Sequence, residues 1–148
     1  MVNRLAEIPL EFEPGSRWEY SVSFDVLGRL VEVVCGKTLD VFLKDQIFDP
    51  LEMEDTGFCV PESKQCRFVS LYQCMPQDRL LLMESAADSP LTGPVETLSG
   101  GGGLVSTLKD YFRFTEMLRN NGSSEGHRVL GRKSVELMTC NHIPGDLA

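Results

Sequence analysis

The sequence predicts an α+β fold that is mostly helical, in one domain that covers residues 1–148. Several segments place apolar residues at helical spacing, whereas only two short runs favour β-structure. The several adjacent strands of a full central sheet are missing from this pattern, which is typical of a helical layer or of a piece of a larger fold. A chain of 148 residues is long enough to bury one hydrophobic core.

Two neighbouring helices are predicted on either side of Gly36. The first begins near Ser23, with Ser21 or Ser23 as its cap, and its broadly apolar surface predicts packing on more than one side. The second begins after a Thr38 cap and stops at Pro50. Its predicted buried stripe consists of Leu39, Phe42, Leu43 and Ile47. The short connection requires the two helices to pack together.

A small hairpin is predicted in the middle of the chain. The β-favouring runs cover residues 67–72 and 79–83, with Met75-Pro76-Gln77-Asp78 between them. Residues 51–61 before the hairpin and residues 84–99 after it are predicted to be loops. A loop as long as the second one is usually functional or forms a lid in a compact domain.

A third helix is predicted to begin after Thr107, which has Asp110 three residues further on, as in a capping box. It ends at Asn120-Asn121-Gly122, and a last helix is predicted from about Arg132 to Thr139. The predicted apolar face of the third helix consists of Leu108, Tyr111, Phe112, Thr115 and Leu118.

Four consecutive glycines, residues 100–103, precede the third helix. Backbone N–H groups at a helix N-terminus attract anions, but no Gly-Lys-Ser/Thr sequence follows this run. A dinucleotide site needs a strand before the glycines, and residues 97–99 make a poor one. We therefore interpret the glycines as a tight turn whose backbone passes close to another segment.

The composition excludes several classes of protein. A net charge of −8 and a pI near 4.7 argue against a nucleic-acid surface. No apolar run has the length that a membrane span needs, and the first residues do not resemble a signal peptide. We predict a cytoplasmic protein, with the reservation that the native N-terminus lies elsewhere if the chain is a piece of a longer one.

No cofactor and no metal site are predicted. His127 and His142 lie in polar turns without acidic partners at ligand spacing, and none of the five cysteines belongs to a Cys-x-x-Cys pair. The cysteines are predicted to be reduced; the alternative is a disulfide among Cys59, Cys66 and Cys74 in an oxidising compartment. The acids Glu52, Glu54 and Asp55 are predicted to face solvent.

The segment from Trp18 to Gly28 leads from a Pro14-Gly15 turn into the first of the two neighbouring helices. It places Tyr20 where an irregular segment enters a helix. A side chain at such a point is either an anchor for the helix start or a rigidly held group that faces a cleft. The spacing alone leaves both interpretations open.

Four stretches of sequence resemble the serine β-lactamase-related hydrolases, most of all their class C β-lactamase and esterase branch. They are Phe12 to Ser21, Asp25-Val26-Leu27-Gly28-Arg29-Leu30, Phe48-Asp49-Pro50-Leu51-Glu52-Met53 and Gly100 to Thr107. The stretches occur in order over nearly the whole chain. The resemblance implies that the chain is a partial domain of this fold, its helical portion, which lacks most of the central antiparallel sheet.

The resemblance also implies roles for individual residues. Tyr20 is the tyrosine that exchanges a proton with a nucleophilic serine, while Gly101 and Gly102 line the mouth of the cleft. Val22 stands where many relatives carry asparagine, an amide that would contact a β-lactam side chain. Its loss favours an esterase over a lactamase, so the implied substrate is a small ester or amide.

The nucleophile motif, Ser-x-x-Lys, has only a literal match at Ser106-Thr107-Leu108-Lys109. This match follows the tyrosine instead of preceding it, and helix capping accounts for its first residues. We therefore expect the nucleophile and third motifs to lie outside an internal fragment that is inactive alone. The alternatives are a shortened homologue or a helical module that binds a partner protein. Surface left uncovered by the missing sheet also predicts self-association.

Overall fold

The computed structural model describes residues 2–143 and confirms a mostly helical α+β class with small sheets. Within these residues, β1 pairs only with β2 and β3 only with β4, both antiparallel. The helices are α1 (Val2–Leu5), α2 (Ser23–Cys35), α3 (Leu39–Leu43), α4 (Leu108–Arg119) and α5 (Arg132–Met138); the strands are β1 (Leu71–Met75), β2 (Arg79–Glu84), β3 (Ser123–Ser124) and β4 (His127–Arg128).

Helix α2 has the predicted extent but not the predicted cap or packing. It ends at Gly36, whose φ of 69° is left-handed and whose N–H bonds to the carbonyl of Glu32. The N-cap is Val22, without a side-chain bond, so the prediction of a serine cap is wrong. Packing on more than one side is also wrong, because Val33 and Val34 are 64% and 78% exposed and no element of residues 2–143 buries them.

Helix α3 begins after Thr38, as predicted, but the Thr38 side chain makes no capping bond. The first N–H of the helix, that of Leu39, bonds instead to a carboxylate oxygen of Glu32 in α2 at 3.1 Å. The neighbouring helix therefore satisfies one of the free N–H groups at the start of α3. Two favourable contacts, first the Arg29 side chain and then this N–H, lower the pKa of Glu32.

A π-helical turn, Lys44–Phe48, continues α3 to the predicted stop before Pro50. The extra residue in this turn is typical of a local change in helix direction. It carries Phe48 into the core with residues of the following loop, whose irregular backbone was predicted. The core cluster consists of Phe48, Leu51, Met53 and Met117, with Leu43, Ile47, Phe114, Leu118, Val129 and Leu130 packed against it.

The predicted hairpin is present as β1 and β2, although β1 begins four residues later than predicted because residues 62–67 form a 3₁₀ helix. The predicted loop that follows is held at two points. The N–H of Val60 donates to the carbonyl of Leu91 at 2.7 Å, and the amide of Gln65 donates to that of Thr92 at 3.0 Å.

Helix α4 has the predicted cap, since the Thr107 hydroxyl accepts the N–H of Asp110 at 3.2 Å. Part of its predicted apolar face is exposed: Leu108 is 87% exposed, and Tyr111 and Phe112 are each 60% exposed. The helix carries two apolar faces, and it packs on the core through Phe114, Met117 and Leu118. Spacing along α4 does not distinguish these faces.

The surface is larger than the mass predicts. The chain exposes 11,469 Å², whereas a compact monomer of 16.5 kDa exposes about 7,500 Å². Exposed apolar side chains on α2, β2 and α4, among them Val34, Leu80 and Leu108, contribute to this excess. Within residues 2–143, no helix has the length and apolar character to cross a membrane. The five cysteines have free thiols in the structure.

Candidate functional site

Tyr20 lies in the irregular segment between a tight turn and α2. The turn is closed by Ser16, whose N–H and hydroxyl both bond to the carbonyl of Glu13, at 3.0 and 2.7 Å. Tyr20 is 77% exposed and Trp18 is 58% exposed. A side chain that anchors a helix start would be buried against it. The exposure therefore argues against the anchor interpretation and leaves the phenol accessible.

The glycine run lies directly against the first turns of α2. A methyl group built on Gly100 would meet the carbonyl oxygen of Phe24 at 2.1 Å, and one built on Gly28 would lie 3.3 Å from the Gly100 Cα. Gly28 is the buried residue of α2. The predicted close approach of the glycine backbone to another segment is therefore confirmed, and α2 is that segment.

A pair of hydrogen bonds fixes the same contact. The Ser99 hydroxyl donates to Oδ1 of Asp25 at 2.6 Å, and the Ser99 oxygen accepts the N–H of Gly101 at 3.2 Å. Asp25 lies in the first turn of α2, where the helix dipole favours a carboxylate. Asp25, five residues after Tyr20, thereby holds the backbone of Gly101 through Ser99.

An open apolar groove of about 420 Å³ runs along this contact. The structure brings Gly101 and Gly102 together with the inner side of α2 in this groove, whose lining includes Phe24, Leu27 and Leu39. Tyr20 and Val22 do not line it; Val22 is 44% exposed at the α2 N-cap.

Ser106 belongs to a different cluster, around the buried carboxylate of Asp110. Oδ2 of Asp110 accepts the backbone N–H of Asp55 at 2.8 Å and the hydroxyl of Thr56 at 2.9 Å. The Ser106 oxygen lies 2.8 Å from that of Thr56. Asp110 is 3% exposed. The cluster ties the loop before the hairpin to α4, which is a structural task.

Sequence comparison assigns the chain to a family. The sequence profile of the beta-lactamase family matches residues 1–145. The chain belongs to the beta-lactamase family. An uncharacterised protein of Mycobacterium tuberculosis is 37% identical over 94% of this chain. Esterase EstB of Burkholderia gladioli is 31% identical over 81% of this chain, and the lovastatin esterase of Penicillium rubens is 32% identical over 100% of this chain.

Solved structures of the beta-lactamase fold agree. The simvastatin synthase of Aspergillus terreus superposes on 95% of the chain with a TM-score of 0.78 at 24% identity. EstCE1, a hydrolase with promiscuous acyltransferase activity, superposes on 90% of it with a TM-score of 0.68 at 26% identity. The chain spans about a third of the length of its relatives: 34% of the Mycobacterium protein and of the synthase.

In this beta-lactamase-family chain, the prediction for the surroundings of one acidic residue, Asp55, is wrong. Asp55 was predicted to face solvent, but its carboxylate lies between Arg67 and Lys64, at 2.5 and 2.6 Å, and its side chain is 20% exposed. The Arg67 hydrogen bond, followed by that of Lys64, lowers the pKa of Asp55 from 3.8 to about 2. The sequence does not predict this cluster, because both cations lie in the 3₁₀ helix that follows the loop, well separated from Asp55 along the chain.

The Asp55 cluster predicts a pH dependence of stability. Because the folded pKa is lowered, the cluster stabilises the fold above pH 4, and this contribution is lost as the pH falls from about 4 to about 2. Urea unfolding of wild type and Asp55→Asn should therefore differ at pH 7 and converge towards pH 2. The control is Asp45→Asn, which removes the exposed pair with Lys37 and should change stability little at either pH. A pH-independent difference for Asp55→Asn would contradict the prediction.

The contact between the glycine run and α2 gives a second prediction. Gly100→Ala should destabilise the fold by about 1–3 kcal/mol, because its methyl group overlaps the backbone of α2. Gly102→Ala is the matched control, since a methyl group there meets nothing within 4 Å. Thermal and urea unfolding of both variants measure the difference. Equal stability of the two would show that the close approach is wrong.

Proposed function

We propose that this chain is the tyrosine-bearing helical part of a serine hydrolase that acts on esters or amides through an acyl-enzyme. The observation that carries the proposal is the exposed Tyr20 phenol at the entrance to α2, with Gly101 held against the same helix end. The named esterases among the relatives support the reaction class. Val22, in place of an amide that would contact a β-lactam, favours an ester substrate.

Tyr20 has a role in each half of the proposed reaction. The phenolate oxygen takes the proton of a nucleophilic serine as that serine's oxygen bonds to the substrate carbonyl carbon. The phenol then returns this proton to the leaving alkoxide or amine as its bond to the carbonyl breaks. In the second half the oxygen of a water molecule bonds to the acyl carbon and gives a proton to the phenolate; the bond from this carbon to the serine oxygen then breaks, the serine oxygen takes the proton back, and the acyl group leaves as the acid.

The nucleophile in this proposal is a serine outside residues 1–148, in a Ser-x-x-Lys segment. Two observations support this choice over Ser106. The Ser106 oxygen is engaged with Thr56 in the Asp110 cluster, and the neighbouring Thr107 caps α4. The chain also covers only about a third of its relatives' length, so the partial domain, residues 1–148, is proposed to act with further segments.

A fluorophosphonate probe tests the assignment of the nucleophile. The longest polypeptide that the gene encodes is labelled with the probe, and the modified serine is mapped by mass spectrometry. We expect one labelled serine, in a Ser-x-x-Lys sequence outside residues 1–148, and hydrolysis of a chromogenic short-chain ester that the probe abolishes. Stoichiometric labelling of Ser106 would show that the nucleophile has been assigned wrongly.

A second candidate function rests on the excess surface. About 4,000 Å² more than a compact monomer exposes is within the range that obligate interfaces bury. A helical module that binds a partner protein, or a second copy of itself, would cover the exposed face of α4. Sedimentation of the longest polypeptide that the gene encodes distinguishes the two functions, because a defined dimer or complex that the probe does not label supports the binding module.

A further inference from the structure

We infer that Asp25 and Ser99 are positioning residues. They set the position, relative to Tyr20, of the Gly101-Gly102 backbone, which forms one wall of the apolar groove. This inference rests on the proposed function. The two residues are 74 positions apart in sequence, and their side chains meet at 2.6 Å, the Ser99 hydroxyl donating to Oδ1 of Asp25. No other side-chain bond among residues 2–143 joins the glycine run to α2.

The Ser99 hydroxyl joins two partners at once. Its hydrogen goes to the Asp25 carboxylate, so its oxygen is free to accept the N–H of Gly101 at 3.2 Å. A bond to an ionised acceptor is stronger than one between neutral groups, and each bond in such a chain polarises the next. The carboxylate thereby fixes the hydroxyl rotamer, and the hydroxyl fixes the backbone of Gly101.

Direct packing shows that Gly101 has little independent support. A methyl group built on it would lie 3.5 Å from Oδ2 of Asp25 and 3.5 Å from the Phe24 Cβ, which is ordinary contact distance. The tight backbone contact involves the preceding residue, Gly100. Glycine backbone is conformationally permissive, so Gly101 and Gly102 need a polar bond to define one position. Ser99 provides it.

The position of the wall matters because Tyr20 lies just before α2 and Asp25 lies in the first turn of that helix. A shift of the wall on losing the Ser99 bonds would move Gly101-Gly102 relative to the phenol. A displacement of about 1 Å in a reacting site lowers catalytic efficiency by up to roughly a hundredfold. Since the wall is proposed to contact substrate and to exchange no proton, the loss should appear in KM. Loss of Tyr20 should appear in kcat.

The test uses the longest polypeptide that the gene encodes, with four variants and a chromogenic short-chain ester. Ser99→Ala and Asp25→Ala should each raise KM about tenfold and leave kcat within about threefold. Asp25→Asn keeps an oxygen that accepts the Ser99 hydroxyl and should retain most of the wild-type KM. Ser70→Ala is the matched control, because Ser70 is also half-buried and accepts a backbone N–H, that of Ala86, at 2.9 Å.

Amide hydrogen exchange of Gly101 in the same protein gives a readout independent of turnover. Ser99→Ala and Asp25→Ala should accelerate it about tenfold, and Ser70→Ala should not. Unchanged exchange in both variants, or accelerated exchange with an unchanged KM, would overturn the inference. Where Ser99→Ala does not fold, Ser99→Cys carries the same expectation, because a thiol is a weak donor and acceptor.

The failure of the proposed function gives different results. If wild type and Tyr20→Phe turn over the ester equally, the role of Tyr20 is wrong whatever the Ser99 variants do. If the wild type does not turn over the ester at all, both proposals fail together. If Tyr20→Phe is inactive and Ser99→Ala keeps the wild-type KM, only the positioning role is wrong.

Discussion

Tyr20→Phe should lower kcat for a short-chain ester by about 10²–10⁴-fold in the longest polypeptide that the gene encodes, with KM nearly unchanged. The substitution removes one oxygen atom from a side chain that is 77% exposed, so it leaves the packing of the fold intact. What it removes is the group proposed to take the serine proton and to return it to the leaving group. Steady-state kinetics with a chromogenic ester measure the effect.

Tyr72→Phe is the matched control for this prediction. Tyr72 lies in β1, is 52% exposed, and loses the same hydroxyl without any proposed role in the reaction. Its kcat should match that of the wild type. Unfolding curves of both variants should also match the wild type, which separates chemistry from stability. Turnover by Tyr20→Phe at the wild-type rate would refute the assigned role.

The sequence predicts local structure well where one residue decides it. Gly36 ends α2 because left-handed backbone follows the helix there, and Thr107 caps α4 through its own hydroxyl. Thr38 lies at an equally good cap position and fails. The acceptor for the first N–H of α3 comes from Glu32, a residue of another helix. Local spacing cannot reveal a contact that only tertiary packing brings into place.

Burial was the least predictable property, for a physical reason. The faces of α4 around Leu108 and around Met117 are both apolar, and only the second packs on described residues. An apolar face indicates which side chains of a helix can be buried, but it does not identify the element that covers them. The same holds for Val34 on α2, which is 78% exposed in a helix predicted to be enclosed. Such faces contribute to the large total surface.

The sequence predicts some features of the candidate site and not others. The closeness of the glycine run to another segment was predicted from its composition, and a methyl group built on Gly100 would indeed lie only 2.1 Å from the Phe24 carbonyl oxygen. Its partner could not be predicted, since Asp25 and Ser99 are ordinary residues in separate segments. The roles of Tyr20, Val22, Gly101 and Gly102 come from resemblance, and they stay predictions until kinetics test them.

Asp110→Ala should destabilise the fold by roughly 2–4 kcal/mol, the largest loss that we expect from a polar substitution in this chain. The carboxylate is 3% exposed and accepts two donors from the loop before the hairpin, the N–H of Asp55 and the hydroxyl of Thr56. Alanine leaves both donors without their acceptor in a buried setting. It also removes a negative charge from the first turn of α4, where the helix dipole favours one.

Urea unfolding at pH 7 measures the loss, and the partner residue provides the decisive comparison. Thr56→Val removes one of the two donors, so it should cost less than Asp110→Ala alone. The double variant should be less destabilised than the sum of the single ones, because both break the same contact. Asp49→Ala, at a carboxylate whose side chain is 58% exposed, should change stability by no more than about 0.5 kcal/mol. If Asp110→Ala were as stable as Asp49→Ala, the cluster would not be what ties the loop to α4.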